Sequence, residues 1–245
     1  MKCAVSSYAI LALVVLIHLV PINKTFCEVI PEGATIAARE GLSAWQSNCI
    51  GLPERAKKIY GVKNTNDVYS AHLGEPYANN MISAKDLYDY NEDMDFLALC
   101  KFYSYRFPII INETISGFIT VRYVYYIEGQ EEGCWFATGI GPGATKEHMI
   151  YKLQKEYPQS EGYNVIATSI HWPINLFFLI IKQDSINILP ASNEAARLGS
   201  FESDREGEYT LTSLETVIHD LKRYAKVVVK NIENLKNTRK PLIEE

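Results

Sequence analysis

The chain has 245 residues, a formal charge of -5, 47% hydrophobic residues and 22% charged residues. Such a composition is ordinary for a soluble globular protein with a sizeable core. A mildly acidic surface argues against nucleic-acid binding, which needs a basic face.

Residues 8–20 form an uncharged apolar run, preceded by Lys2 and followed by Pro21, Asn23 and Lys24. A cationic start, an apolar middle and a polar exit are the parts of a secretory signal. The run is shorter than the ~20 residues a bilayer-spanning helix needs. No Ala-x-Ala triplet follows it, and Thr25 with Cys27 gives the best small-residue pair, placing cleavage before Glu28. An uncleaved anchor is the first alternative; a lipid on Cys27 fits poorly, because Thr25 and Phe26 stand where small residues should be. The expected location is secreted or periplasmic, or membrane-anchored and facing outside the cytoplasm if the segment stays. Without residues 1–27, about 218 residues of charge near -7 remain, room for one core with appendages.

Export sets how the cysteines read. Cys3 leaves with the leader, Cys27 is at its end, and Cys49, Cys100 and Cys134 remain. In an oxidising compartment two of them can pair. If Cys27 is retained, two bridges become possible. Buried thiols behaving as small apolar residues are the alternative, and no essential disulfide is the favoured reading.

The pattern from Pro31 to Tyr60 is helical, with Ile36, Ala37, Arg39, Leu42, Trp45 and Cys49 on one stripe. Gly51 and Pro53 stop it, Gly51 by readily taking a left-handed turn. A short second helix from Glu54 to Tyr60 ends at Gly61, and residues 62–76 read as polar turns. Asp86, Asp89, Glu92, Asp93 and Asp95 lack calcium-loop order and read as a solvated linker before a short helix near Phe96. Strands follow over Phe107–Asn112 and Ser116–Glu128. The turn Gly129–Gly133 reverses the second into Cys134–Gly139. Ala144–Tyr157 is a helix with Met149, Ile150 and Leu153 inward. Tyr163–Ile170 and Leu176–Lys182 are strands around a turn at His171–Ile174, with a further strand at Ser185–Leu189 and a short helix over Ala191–Leu198. The 16 tyrosines read as strand residues rather than a carbohydrate platform. Leu214, Ile218, Leu221, Ala225, Val228, Ile232 and Leu235 form a heptad-like seam on one long helix, opened by a capping box from Thr212 to Glu215. Docking of that seam on the parent domain is preferred to a coiled-coil dimer.

These elements give an α+β fold: an antiparallel sheet of about five strands, helices packed on one face, an N-terminal helical segment and a long C-terminal helix. The segments are 1–27 (leader or anchor), 28–73 (helical), 74–205 (core) and 206–245 (C-terminal helix and frayed tail).

Candidate chemistry is sparse. Gly139, Gly141 and Gly143 lie before a helix and could hold an anion on backbone N–H groups. Their spacing matches neither Walker A nor the dinucleotide fingerprint, so a flexible connection is preferred. Cys134 with His148 or His171 is the candidate nucleophile–base pair, against a packed cysteine. His72, His148, His171 and His219 are scattered without zinc-site spacing, and no cofactor is expected. Asn112 and Asn23 match the glycosylation acceptor pattern.

Taken together, Leu73–Tyr77, Phe107–Ile111, Ile119–Val121 and Glu161–Tyr163 resemble a group of exported bacterial proteins of unknown function. The resemblance covers about residues 73–200. It implies a globular protein of the bacterial envelope or exterior and assigns no site residue.

The expected function is a non-catalytic binding or interaction module whose partner is a protein or small ligand, not nucleic acid, with membrane contact only through an uncleaved leader. The rivals are a secreted hydrolase using Cys134 and a histidine, and an envelope structural protein self-associating through residues 212–236.

Overall fold

The computed structural model describes residues 30–125, 133–142, 144–170, 176–198, 201–203 and 209–238. The expected leader, Gly143, His171 and most of the Gly129–Gly133 turn therefore lie outside the described residues. Among those described, no helix is long and apolar enough to cross a membrane.

The chain is an α+β protein built on a large, mostly antiparallel sheet. Its strands are β1 (His72–Leu73), β2 (Tyr77–Ile82), β3 (Lys101–Ile111), β4 (Thr114–Val124), β5 (Cys134–Pro142), β6 (Tyr163–Ile170), β7 (Leu176–Lys182), β8 (Ser185–Pro190) and β9 (Thr212–Ser213). The spatial order is β5-β4-β3-β2-β6-β7-β8-β9, with β1 beside β3. Among the described residues nine strands stand where about five are expected. Two of the extra strands have two residues each, too short to show a period, and β2 carries the adjacent pair Asn79 and Asn80, which have low strand propensity.

The β2–β6 pair is parallel, a departure from the all-antiparallel expectation. Its cause is the helix α5 (Ala144–Glu156). The meander β3-β4-β5 leaves β2 on one side and ends at the sheet edge. Returning to the free side of β2 requires crossing four strand spacings, about 19 Å. The 13 residues of α5 span about 20 Å at 1.5 Å each, and the helix packs on both β4 and β6.

Helices cover both faces, not one. Phe177, Leu179 and Ile181 of β7 share a cluster with Leu214, Val217, Ile218 and Leu221 of the C-terminal helix α7 (Leu214–Thr238). The alternate residues Phe178 and Ile180 pack with Ile150 and Leu153 of α5. Because successive strand side chains point to opposite faces, α7 and α5 lie on opposite sides. The helix α4 (Ala84–Asp89) joins the α7 face through Leu87. So does α1 (Glu32–Ile50): Ala78, on the face of Ile82, is opposite Tyr105, Tyr105 opposite Val121, and Val121 opposite Ala137. Gly41 of α1 rests on Ala137 and Ile119.

Small residues set the rotation of α1. Its buried positions are Ala34, Ala37, Ala38, Gly41, Trp45 and Cys49. Ile36 is 46% exposed and Arg39 is exposed, so the predicted stripe was turned towards the bulkier apolar residues. Gly51 ends the helix at φ -79, not in the left-handed region; the chain turns instead into Pro53, which precedes α2 (Glu54–Ile59). Gly61 does take a positive φ of 68.

The stretch read as turns contains α3 (Thr65–Ser70), opened by a reciprocal cap between Asn64 and Asp67. The buried Asp67 carboxylate accepts from Lys63 N–H at 2.7 Å, Asn64 N–H at 3.2 Å and Asn112 Nδ2 at 3.1 Å. It thereby ties α3 to the β3–β4 turn, where Asn112 and Glu113 both have positive φ. These donors, Lys63 first, hold the Asp67 carboxyl below its ordinary 3.8. A depressed folded value means the stabilisation is complete above the unfolded value and is lost as pH falls through the folded one. Asp67→Asn should lower Tm at neutral pH and flatten the acid limb of Tm against pH below about 4, checked by circular dichroism melts.

The acidic stretch predicted as linker contributes α4, capped by Ser83 Oγ. Asp86 pairs with Lys101 at 3.0 Å and Asp89 with Lys85. The seven-residue repeat of α7 is only partly a docking face. Leu214, Ile218, Leu221 and Ala225 are buried, whereas Leu235 is 61% exposed. Its cap is Ser213, whose Oγ accepts from Thr216 N–H at 3.4 Å; Thr212, the predicted cap, pairs with Ile188 as part of β9.

Candidate functional site

Gly139 and Gly141 lie within β5, opposite Thr120 and Phe118. Their backbone is extended, so they form no anion-binding loop. A side chain at Gly141 would meet the Phe118 ring at 2.9 Å, which explains the glycine by packing. Cys134 begins β5 opposite Val124. His148 is exposed on α5, two residues before Ile150. Ile150 shares a cluster with Tyr77, whose row crosses the sheet through Arg106 and Thr120 to Gly139. Cys134 is five residues further along β5, about 17 Å away. The structure does not bring Cys134 and His148 together.

Cys49, Cys100 and Cys134 are not cross-linked to one another. Burial raises the Cys49 thiol, and it pushes Cys100 up to about 12. Neither thiol is ionised near neutrality, so neither is an activated nucleophile. Among the described residues, no three of His, Cys, Asp or Glu gather as a metal site.

The uneven covering of the sheet creates the site. On one face lie α1, α4 and α7; among the described helices packed on the other is α5. A helix about 10 Å wide covers some two strands. Beside α5, over the end of β8, a cleft of about 510 Å³ remains, bounded also by α6 (Asn193–Ala196). Its floor is apolar: Met149 and Leu153 from α5, with Leu189, Pro190 and Ala191 from the β8 end. Polar groups stand round it. Lys152 and Glu156 project from successive turns of α5, and Ser192, Asn193 and Tyr209 close the other side. Tyr209 donates to Asn193 Oδ1 at 2.6 Å. Ser192 is spent as the cap of α6, accepting from Ala195 N–H at 3.2 Å. Burial, and then the Glu156 carboxylate, raise the Tyr157 phenol, which stays a neutral hydroxyl at physiological pH. This arrangement can hold an apolar molecule with a few polar ends.

Polar residues also occupy the middle of the same face. Asn79 Oδ1, Ser104 Oγ and Ser169 Oγ are buried without a hydrogen-bond partner among the described residues. Asn79 faces Ser104 across β2–β3, and Arg122 beyond them stacks on Tyr103 at 4.0 Å. A buried orphan hydroxyl carries an unrepaid desolvation cost. Ser104→Ala should therefore stabilise the protein by about 1 kcal/mol, measured by urea denaturation.

Sequence reasoning missed the cleft because its residues come from three separated segments with no shared motif. The Asn79–Asn80 pair inside a strand was the one legible signal of the polar centre. No protein-family model, curated protein or solved structure matches this chain. The chemistry of the cleft therefore stands on its own residues.

Proposed function

We propose that the protein is an exported, non-catalytic binding module whose ligand sits in the cleft between α5 and the β8–α6 corner. The cleft carries this reading: its volume of about 510 Å³ falls in the range of small-molecule sites, which pair apolar walls with a few placed polar groups. The leader pattern of residues 8–20 supports export. Ala191 is 9% exposed on the cleft floor, so Ala191→Trp fills the space from below. The wild type should bind an apolar fluorophore such as 1-anilinonaphthalene-8-sulfonate, and the variant should lose most of that signal while keeping its Tm within a few degrees. Undiminished dye binding in a folded Ala191→Trp protein would sink the proposal.

A further inference from the structure

Lys152 and Glu156 are one turn apart on α5 and both are exposed at the cleft rim. A lysine four residues before a glutamate is the weaker order for a helical ion pair, and no ion pair joins these two among the described residues. Two opposite charges are thus presented separately over one apolar floor. A ligand with a single anionic head satisfies Lys152 and leaves the Glu156 carboxylate to solvent. A molecule charged at both ends leaves neither group unmatched. Across the cleft, Tyr209 donates to Asn193 Oδ1, and the Asn193 N–H groups and the Tyr209 oxygen lone pairs meet no further partner among the described residues. Both residues line the cleft and offer it a donor and an acceptor, the complement of a peptide C=O and N–H.

Resting on the cleft reading, we propose that the ligand is a short free-ended peptide of two or three apolar residues. Its carboxylate pairs with Lys152, its ammonium with Glu156, and its side chains lie on Met149, Leu153, Leu189 and Ala191. An extended chain of two or three residues is about 7–10 Å long. The Cα atoms of residues four apart on a helix are separated by about 6 Å, and the two side chains reach beyond that separation.

Calorimetric titration of the full chain with three probes tests this: trileucine, N-acetyl-trileucine amide and octanoate. Trileucine should bind about a hundredfold tighter than its doubly blocked form, since it makes two charge-assisted contacts, each with a factor of about ten. Lys152→Gln and Glu156→Gln should each remove about that factor for trileucine and leave the blocked peptide unchanged. Equal binding of free and blocked peptides, octanoate matching trileucine, or no binding of trileucine each overturns the peptide assignment. Loss of dye binding in Ala191→Trp then shows that the cleft is still the binding site and only the ligand class is wrong. Dye binding that survives Ala191→Trp removes the cleft reading itself.

Discussion

Leu221→Ala is expected to cost about 2–5 kcal/mol, while Leu235→Ala on the same helical seam should change stability by less than about 0.5 kcal/mol. Leu221 is fully buried, and it shares a cluster with Phe177, Leu179 and Leu87. Removing its side chain loses the transfer energy of the deleted carbons and leaves a cavity among residues that are themselves immobilised. Leu235 is 61% exposed and vacates nothing. Chemical denaturation of both variants, read as midpoint shifts at constant m, measures the contrast. Equal costs would mean that α7 is gripped along its whole length. The docked part is held at its middle by a polar contact as well, since Lys222 Nζ donates to the Tyr90 carbonyl at 2.5 Å.

Gly41→Leu should be the most damaging change on the N-terminal helix, because α1 has no room there. A Cβ at Gly41 would come within 2.8 Å of Ala137 Cβ and 3.1 Å of Ile119 Cγ2. A leucine is a far better helix former than glycine, worth some 0.8 kcal/mol. Overpacking a filled contact costs about 1–3 kcal/mol, and here the obstacle is a short side chain on a strand, which cannot swing aside. The clash wins, and α1 should lift from β4 and β5 with a net loss of stability. Ala137→Gly relieves only the nearer contact, so the double variant should recover part of the loss; a double-mutant cycle on Tm gives the fraction. Full additivity of the two changes would show that Gly41 and Ala137 do not meet.

The part of this fold legible in the sequence is the part where pattern and environment coincide. Tyr163–Ile170 and Leu176–Lys182 are read as the strands they are, since a run of Val, Ile, Leu and Phe leaves little alternative. α5 is read with Ile150 and Leu153 inward, as found. α1 is read as a helix but with its stripe misplaced: hydrophobicity favours Ile36, whereas Ala37, Ala38 and Gly41 face the sheet because close approach needs small side chains, not greasy ones. β2 is missed because Asn79 and Asn80 look like a turn until β3 and β6 supply partners on both sides. The heptad spacing of α7 is correct as spacing and silent about how far the partner surface extends. The cleft is illegible for a further reason: Lys152, Ala191 and Tyr209 converge only through the path of the chain across the sheet, which no local pattern encodes.

The parallel seam has a consequence for the order of assembly. On one side, β3, β4 and β5 pair with sequence neighbours; on the other, β6, β7 and β8 do the same. Each half can therefore form through short loop closures. Joining them is different in kind, since the Asn80 amide must find the Ala167 carbonyl 87 positions away. Long-range closure is slow, because the entropy of the intervening chain is lost before the contact rewards it. The two halves should thus form early and the β2–β6 junction late. Until it closes, the inner edges of both halves stand open to strands of other molecules.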